Sequence, residues 1–477
     1  MTTFQHPSIG RIQGNKNEDV VEFLGIQYAT LAHQFAPPAP IDYQKNPDHT
    51  IDATSYGPGV GGVDGCDAEF ELIQHILPRT HWAQSAVDGL NLNITIPQIS
   101  GYSSSFPVLV FLHGGGFGVG SSSWPQNQLT TLVSHSRELG FPVIGVSINY
   151  RVGPAGFLTS REMRDASFTP NNGLRDQRVA LKWVKDHIDG FGGDESNITL
   201  VGHSAGGACL SGQFLAVKPL PSEVHEHFYA KSMKILGWEN LAAGERVARL
   251  QNLNAEDLAK ISIFPPRPII DGDICRLMPS IQAIADGMPT ELHGGWCQDL
   301  FIGDCRFDYL VKVLEDVPGL AEKILSAYGM NGENCIEDEC LHGILRFMND
   351  VFFYMPTVHL ARVWKTGAAY VYRFDAPNPW KGRWEGEASH ITDQTMLLHN
   401  FDEFLTEDQK QIGWSYTRDL LAFISGMPPW QPFDDQESFE RQYGGSLGDR
   451  RRFIWDILKD IEHDRIAFLL EQFIAGE

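Results

Sequence analysis

Residues 198–211 read ITLVGHSAGGACLS, and this stretch decides the fold. A short β-prone run ends at Val201, and the segment Gly202-His-Ser-Ala-Gly206 follows at once, leading into an Ala- and Gly-rich helical pattern. A serine on a sharp turn from a strand into a helix is the arrangement of a nucleophile elbow. The turn is so tight that the residues two before and two after the serine must lack bulk, as Gly202 and Gly206 do. The stretch therefore predicts that Ser204 is a nucleophile.

A second glycine-rich run follows an earlier strand. Val108–Leu112 is continuously apolar, as in a strand buried on both faces, and His113-Gly-Gly-Gly-Phe117 comes directly after it. Acyl transfer creates a tetrahedral oxyanion, which backbone N–H groups stabilise where no side chain obstructs them. We predict that the N–H groups of Gly115, Gly116 and Ala205 form this oxyanion hole. A phosphate cradle is the weaker interpretation, because the Lys and Ser/Thr of a P-loop are absent.

Composition excludes several classes of partner. The 477 residues carry a formal net charge of −23, and an acidic surface repels nucleic-acid phosphates and anionic lipid. The N-terminus lacks the basic and apolar regions of a secretory signal, and no segment approaches the ~18–20 apolar residues that span a bilayer. We therefore expect a cytoplasmic protein without stable membrane insertion. The seven cysteines show no CxxC pair or zinc spacing, so neither a metal site, a cofactor nor a full disulfide framework is expected.

The pattern along the chain predicts the α/β class. The first hundred residues are typical of an antiparallel entry, and from Pro107 buried strands alternate with amphipathic helices such as 176–188. This alternation indicates a large, mostly parallel central sheet with helices on both faces. The strand-like runs are Ile9–Gln13, Val20–Ile26, Asn91–Ile96, Val108–Leu112, Val143–Asn149, Ile198–Val201, Leu300–Gly303 and Ala369–Phe374.

The domain organisation is simple. No linker composition marks a boundary, so residues 1–477 are interpreted as a single domain. Short helical patterns, one of them with Asn254 as a predicted N-cap, indicate a helical insertion or cap at about 221–298. Residues 58–88 have no clear period and are predicted to be a surface loop or a lid. A long amphipathic helix is predicted over 451–474.

Further segments resemble the type-B carboxylesterase/lipase family, and most closely its intracellular fungal members. The resemblance extends over nearly the whole chain and implies the α/β-hydrolase fold, with a Ser–acid–His triad in that chain order. The segments that carry it are FLGIQYA (23–29), DGLNLN (88–93), NYRVGPAGF (149–157), NGLRDQ (172–177), LKWV (181–184) and FGGD (191–194).

The resemblance also implies the acid of the triad. Residues 301–308, FIGDCRFD, are similar to the family segment GxxxxEG and put Asp308 at the acid position. The family usually has Glu followed by Gly there, whereas this chain has Asp308 followed by Tyr309. Asp304 is the alternative acid, and an ordinary loop carboxylate is the alternative interpretation of Asp308.

The base is implied in the same way. Residues 387–390, EASH, resemble the family's GAxH and indicate His390. His399 is the alternative, but its apolar surroundings in the sequence are typical of a core residue. His390 would accept the proton of Ser204 and later protonate the leaving alcohol, while Asp308 would orient the imidazole ring.

Two features depart from the family. The family's cysteine in EDCL is Gly89 here, so Cys66, at the position of its disulfide partner, is expected to be free and the 58–88 segment unstapled. In the family, another parallel strand follows the nucleophile helix. Here the helix pattern ends near Val217 and KPLPSE (218–223) follows, and its prolines disfavour a buried strand. We therefore predict that the strand after the nucleophile helix is missing.

The function that follows is a serine carboxylic-ester hydrolase, acting through an acyl-enzyme on a small-molecule ester of small or medium apolar character. Two alternatives stay open at this point. One is an acyltransferase of secondary metabolism that uses the same acyl-enzyme, and the other is a catalytically silent binding protein.

Overall fold

The computed structural model describes residues 1–45, 49–60, 64–79, 83–99, 105–211, 219–262, 267–276, 298–305, 328, 343, 346–434 and 440–445. The strands are β1 (Thr2–His6), β2 (Gly10–Lys16), β3 (Val20–Gln27), β4 (Ala29–Thr30), β5 (Ala39–Pro40), β6 (Thr50–Asp52), β7 (Asn91–Pro97), β8 (Phe106–Leu112), β9 (Ile144–Ile148), β10 (Gly193–Gly202), β11 (Leu300–Cys305), β12 (Ala369–Phe374) and β13 (Glu440–Tyr443).

The α-helices are α1 (Cys66–Ile73), α2 (Thr130–Glu138), α3 (Gly153–Phe157), α4 (Arg161–Asp165), α5 (Asn172–His187), α6 (Ala205–Ser211), α7 (Ser222–Ile235), α8 (Ala243–Gln251), α9 (Ala255–Ile261), α10 (Met355–Val363), α11 (Thr392–Leu398) and α12 (Glu407–Ile424). Short 3-10 helices cover Tyr43–Lys45, Pro125–Asn127, Ile188–Phe191 and Asp402–Phe404, and a π-helical turn covers Asp350–Tyr354. Among the described residues, no helix combines the length and apolar character needed to cross a bilayer.

The large sheet has the strand order β1-β2-β3-β7-β9-β8-β10, with β6 paired to β2. Neighbours from β1 to β9 along this order are antiparallel, whereas β9, β8 and β10 run parallel. The predicted α/β class and antiparallel entry are confirmed, and every strand-like run predicted from the sequence overlaps a described strand. The large sheet is mixed, with its parallel strands gathered at the end that carries the two glycine-rich turns.

Both faces of the sheet are buried, for a reason visible in β8. Successive side chains of a strand point to opposite faces, and in this strand both sets are apolar. Leu109 and Phe111 pack in one hydrophobic cluster with Leu132 of α2, whereas Val108 packs in a second cluster with Trp183 of α5. Helices therefore cover both faces, as the continuous apolar run predicts.

A buried ion pair joins the strand layer to α5. The Arg151 guanidinium donates from Nε and Nη2 to the two carboxylate oxygens of Asp176, each at 2.8 Å, and Nη1 donates to the carbonyls of Gln34 and Ala36. Both side chains are almost completely buried. Because nearly every polar atom of the pair has a partner, it connects the loop after β9, α5 and the N-terminal loop at one point.

A second sheet, β11-β12-β13, is parallel throughout. Among the described residues, the path of the large sheet ends at β10, whose partner is β8. Residues 212–218, where a further strand would begin, lie outside the described residues. The missing strand after the nucleophile helix therefore stays a prediction.

The interval 58–88 contains a helix that the sequence pattern did not indicate. Helix α1 buries Cys66, Phe70 and Ile73 in a cluster shared with α11 and α12. Cys66 is a free thiol in this core, as expected. Burial raises the pKa of the Cys66 thiol to about 11, so it stays protonated at neutral pH.

Helices α7, α8 and α9 lie in the interval predicted to be a helical insertion. They share a hydrophobic cluster with the N-terminal loop and α4 through buried residues that include Phe35, Met163 and Leu250. The side chain of Asn254 accepts from the Asp257 N–H at 2.8 Å, so the predicted N-cap is confirmed. The predicted helix at 451–474 lies outside the described residues.

Candidate active site

Ser204 occupies a strained turn between β10 and α6. Its φ is +52°, in the left-handed region that a residue with a Cβ rarely adopts. The flanking glycines make the turn possible. A Cβ on Gly202 would lie 2.5 Å from the carbonyl carbon and oxygen of Gly206, and a Cβ on Gly206 would lie 2.2 Å from the carbonyl oxygen of Leu112. The requirement for small residues, expected from the sequence pattern, is thus a packing constraint.

Sheet register brings the glycine-rich loop beside this turn. In the parallel β8–β10 pair, Leu112 is opposite Gly202, so both chains leave the sheet at the same edge. A Cβ on Gly114 would lie 3.1 Å from the Cβ of Ser204 and 3.0 Å from the carbonyl oxygen of His203. The loop after β8 therefore passes directly against the serine.

The loop has the backbone conformation of a donor cradle. Gly115 has φ +109° and Gly116 has φ +60°, and a Cβ on Gly115 would lie 2.0 Å from the Val119 carbonyl oxygen. The carbonyl of Gly115 accepts from the N–H groups of Gly118 and Val119, at 3.0 and 3.1 Å, which turns it into the loop. Among the described residues, no backbone carbonyl accepts from the N–H groups of Gly115, Gly116 or Ala205.

His113 anchors the start of the loop. Its ring is completely buried and stacks on Tyr150 with centroids 4.3 Å apart, while the Tyr150 hydroxyl donates to the His113 carbonyl at 2.8 Å. Burial lowers the pKa of His113 to about 4, so its imidazole is neutral at pH 7. The ring is bonded to the Gly114 carbonyl through Nδ1, at 2.9 Å. This histidine supports the loop mechanically.

His390 lies beside the elbow. It ends the loop before α11, and its ring centroid is 4.9 Å from that of His203, the residue that precedes Ser204. The segment around it is held by Ser389, whose hydroxyl lies 3.1 Å from the Thr392 hydroxyl. The structure thus brings one of the two candidate bases next to the nucleophile turn.

His203 itself faces a buried carboxylate. Its Nε2 is 3.6 Å from Oδ1 of Asp393, and both side chains are largely buried. Asp393 lies in the first turn of α11, and its Oδ1 also accepts from the Gln394 N–H at 2.8 Å. His203, His390 and Asp393 therefore form one polar group behind the serine.

Glu69 of α1 adds a further titratable side chain. Burial raises its pKa to about 6, while a hydrogen bond from Gln126 and the charge of His390 act in the opposite direction. The Gln126 amide donates to its carboxylate at 2.6 Å. The electrostatic influence of His390 on Glu69 means that α1 supplies a carboxylate to the surroundings of the candidate base.

The other sequence-predicted residues are distributed differently. Asp308 lies outside the described residues. Asp304 is buried on β11 and accepts from the Asn349 amide at 2.9 Å. His399 is buried at the end of α11, where Nδ1 is 3.0 Å from Asp402 and Nε2 is 2.8 Å from the Thr417 hydroxyl.

Sequence reasoning missed His203, Glu69 and Asp393. His203 carried a signal, since it occupies the position next to the nucleophile inside the elbow motif. Asp393 follows His390 by less than one helical turn. Glu69 had no local signal, because only tertiary packing brings α1 to this site.

Comparison with known proteins gives a consistent result. The sequence profile described as the carboxylesterase family matches residues 2–282. The chain is 28% identical to para-nitrobenzyl esterase of Bacillus subtilis (strain 168), over 87% of this chain and 88% of that protein. It is 26% identical to Lipase 3 of Yarrowia lipolytica (strain CLIB 122 / E 150), over 88% of each chain.

Solved structures agree in fold. A thermophilic PNB esterase has a TM-score of 0.72 and 23% identity, covering 96% of this chain and 99% of that one. A carboxylesterase of Geobacillus stearothermophilus has a TM-score of 0.70 and 22% identity, covering 95% and 100%. At this level of identity the likeness establishes the overall architecture.

Proposed function

The chain belongs to the carboxylesterase family and is a carboxylic ester hydrolase, and we propose that Ser204 is its nucleophile. The observation that carries this proposal is the placement of Ser204 at φ +52° on the β10–α6 turn, with the Gly114–Gly116 loop against it. A hydroxyl held on such a turn stands clear of its neighbours and can reach a bound ester carbonyl. The backbone strain at this residue is what keeps it there.

The oxyanion hole is assigned to the N–H groups of Gly115, Gly116 and Ala205. When Ser204 Oγ attacks the ester carbonyl, the carbonyl oxygen becomes an oxyanion that needs preorganised donors. The positive φ of both glycines supports this role, because it turns the Gly115 carbonyl away into the loop. Ala205 is completely buried at the first position of α6, so its N–H is also fixed in direction.

The base is assigned to His390. Its ring contact with His203 supports this choice over His399, whose two ring nitrogens are engaged with Asp402 and Thr417. His390 would take the Ser204 proton and return it to the leaving alcohol, and then activate the water that releases the acyl group. The acid is assigned to Asp308 by the family resemblance, with Asp304 as the alternative.

The substrate class follows from the apolar surroundings of the oxyanion loop. Phe117 ends this loop and packs with Phe157 in a hydrophobic cluster that also contains Ala205 and Ala208 of α6. Apolar side chains beside the acylation site favour an acyl or alcohol group of apolar character. We propose a small or medium uncharged carboxylic ester as the substrate.

A fluorophosphonate probe tests the nucleophile. The full-length chain should be labelled at Ser204, as located by peptide mass spectrometry, and Ser204→Ala should lose both label and esterase activity, with kcat lower by at least about 10⁴-fold. Ser222→Ala, an exposed serine at the start of α7, should be labelled at Ser204 as the unmodified chain is. Labelling that persists at another residue in folded Ser204→Ala protein would refute the assignment.

A second experiment tests the base and the final acceptor. His390→Gln should slow labelling and hydrolysis of p-nitrophenyl esters strongly, whereas His399→Gln in folded protein should leave the labelling rate within a few-fold. Product analysis with an added alcohol or amine distinguishes hydrolysis from acyl transfer, because transfer yields a new ester or amide. Folded chain that neither reacts with the probe nor turns over any ester would instead indicate the binding-protein alternative.

A further inference from the structure

Three potential metal ligands meet outside the residues assigned to ester hydrolysis. They are His135 of α2, His399 at the C-terminal end of α11, and Asp402 in the 3-10 helix that follows. One ligand atom from each lies within 4.8 Å of the other two. The three residues come from segments that are distant in sequence, so the tertiary structure alone creates the cluster.

The hydrogen bonds of His399 require a cation between its ring and Asp402. The Thr417 hydroxyl has one proton and donates it to the Leu397 carbonyl at 3.0 Å, so Nε2 of His399 must be the donor in its 2.8 Å contact with that hydroxyl. In a neutral ring, Nδ1 then carries a lone pair. That nitrogen lies 3.0 and 3.2 Å from the two carboxylate oxygens of Asp402, and facing lone pairs repel. A proton or a metal ion must bridge them.

His135 provides a second ring to the same place. Its Nδ1 is buried and, among the described residues, takes part in no hydrogen bond, although Oε2 of Glu138 is 3.6 Å away. The rings of His135 and His399 are 4.9 Å apart. A second imidazolium at that distance from a protonated His399 would be opposed by like-charge repulsion, whereas two neutral rings can share one metal ion.

The surroundings match those of a metal centre. Trp414 packs edge-on against His135, with centroids 4.1 Å apart, and lies 5.4 Å from His399, which limits access of water. A metal-ligating histidine usually donates its other ring N–H to a fixed acceptor, as His399 does to Thr417. His399 has φ +59°, so its backbone is held in a strained state that orients the ring.

We propose that His135, His399 and Asp402 bind one divalent transition-metal ion of the zinc class. Imidazole nitrogens and a carboxylate suit such an ion, at bond lengths of about 2.0–2.2 Å, and small side-chain rotations close the present spacing to those lengths. Glu138, one helical turn after His135, supplies the fourth ligand. The ion has a structural role, since it joins α2 to the end of α11, the helix that begins just after the loop of His390.

Metal titration tests the proposal directly. The full-length chain is stripped with a chelator and dialysed against Zn²⁺ or Co²⁺ at pH 7.5. We expect one bound ion per chain, the visible absorption of Co²⁺ in a four-coordinate site, and a higher thermal midpoint with the ion than without it. These readouts do not depend on esterase activity.

Variants of single ligands distinguish this site from adventitious binding. Asp402→Asn and His135→Gln keep side-chain volume and should abolish the one-to-one binding and the thermal shift. Thr417→Val removes the acceptor of the His399 N–H and should weaken binding by about 10- to 100-fold. His227→Gln, an exposed histidine on α7, serves as the control and should bind as the unmodified chain does.

The outcomes are decisive in both directions. Absence of stoichiometric binding by the folded chain overturns the proposal and means that a proton bridges His399 and Asp402. Binding that survives in both folded Asp402→Asn and folded His135→Gln protein also overturns it, because the ion would then bind elsewhere.

Discussion

At the scale of single residues, the nucleophile turn depends on the absence of side-chain atoms. Gly206 lies so close to the Leu112 carbonyl that a methyl group would overlap it, with only 2.2 Å available. The overlap cannot be relieved by a side-chain rotation, because the neighbouring atom belongs to the backbone of β8. The position of Ser204 is therefore controlled by a residue that takes no part in the chemistry.

Gly206→Ala should lower both stability and activity. We expect the free energy of unfolding to fall by about 1–3 kcal/mol, since the β8 and β10 turns must separate to admit the methyl group. Chemical denaturation and p-nitrophenyl ester turnover measure the two effects. Gly244→Ala is the matched control on α8, where an added Cβ meets nothing within 4 Å and stability should be unchanged or slightly higher. Equal behaviour of the two variants would contradict the steric account.

The charges around His390 should control the acidic side of the activity profile. Ionised Glu69 stabilises the protonated form of His390, and burial raises the pKa of Glu69 itself to about 6. A protonated His203 in ring contact with His390 has the opposite effect. Glu69→Gln should therefore move the acid limb of kcat/KM to lower pH, and His203→Gln should move it to higher pH.

The pH dependence of kcat/KM checks these two shifts. They should have opposite signs and amount to at least a few tenths of a pH unit, as expected for charges acting on a nearby imidazole. Glu71→Gln, which removes an exposed carboxylate from the same helix, is the control and should leave the limb in place. Shifts in the same direction would mean that the two variants act by distorting the site and not by their charge.

At the scale of secondary-structure elements, α5 is fixed by the buried Arg151–Asp176 pair. Breaking a buried pair leaves an uncompensated charge, which costs about 3–5 kcal/mol. Asp176→Asn should thus reduce the free energy of unfolding by about that amount in chemical denaturation. Asp186→Asn breaks the exposed Lys182–Asp186 pair on the same helix and should cost only about 0.2–0.5 kcal/mol. Similar losses in the two variants would show that burial of the pair is unimportant.

At the scale of the whole molecule, buried neutral histidines should make the fold sensitive to acid. Burial lowers the pKa of His113 and of His225 to about 4, from an ordinary value of 6.5. Between these values the unfolded chain binds protons that the folded chain does not, so the free energy of unfolding falls as pH decreases from about 6.5 towards 4. Each histidine contributes up to about 3 kcal/mol to this loss.

Replacing one of these histidines should weaken the acid sensitivity. In folded His225→Gln protein, the slope of unfolding free energy against pH near pH 5 should be smaller by about one proton. Denaturation series between pH 7 and pH 5 measure this slope. His227→Gln, exposed on the same helix, should retain the original slope. A slope unaltered by His225→Gln would mean that this histidine becomes protonated in the folded state.

The completeness of the large sheet also belongs to the whole molecule. The prolines after α6 predict that no strand follows the nucleophile helix, and β10 is only half-buried over Ile198–Gly202, whereas β9 is buried throughout. Hydrogen exchange tests this prediction. Amides of β10 that point away from β8 should exchange much faster than those of β9. Strong protection of both sets would mean that another segment pairs with β10.

Local sequence was sufficient for much of the fold and for half of the site. The apolar run of β8 predicted a strand buried on both faces, and the two glycine-rich turns predicted which strands end at the site. The helix α1 was missed, because its eight residues show only a short apolar pattern and their burial depends on α11 and α12. The surroundings of His390 were missed for the same reason, since Glu69 comes from that helix.

The sequence by itself determined the strand–turn–helix around Ser204 and the conformations of its glycines, because these are steric constraints between residues close in the chain. Tertiary structure alone decided which histidine lies beside the serine, and it placed His399 against His135 and Asp402 instead. Such pairings depend on how distant helices pack on the sheet, and hydrophobic packing specifies volume and burial without specifying polar partners in any local pattern. The elbow could therefore be predicted from the sequence, whereas the electrostatic environment of the elbow could not.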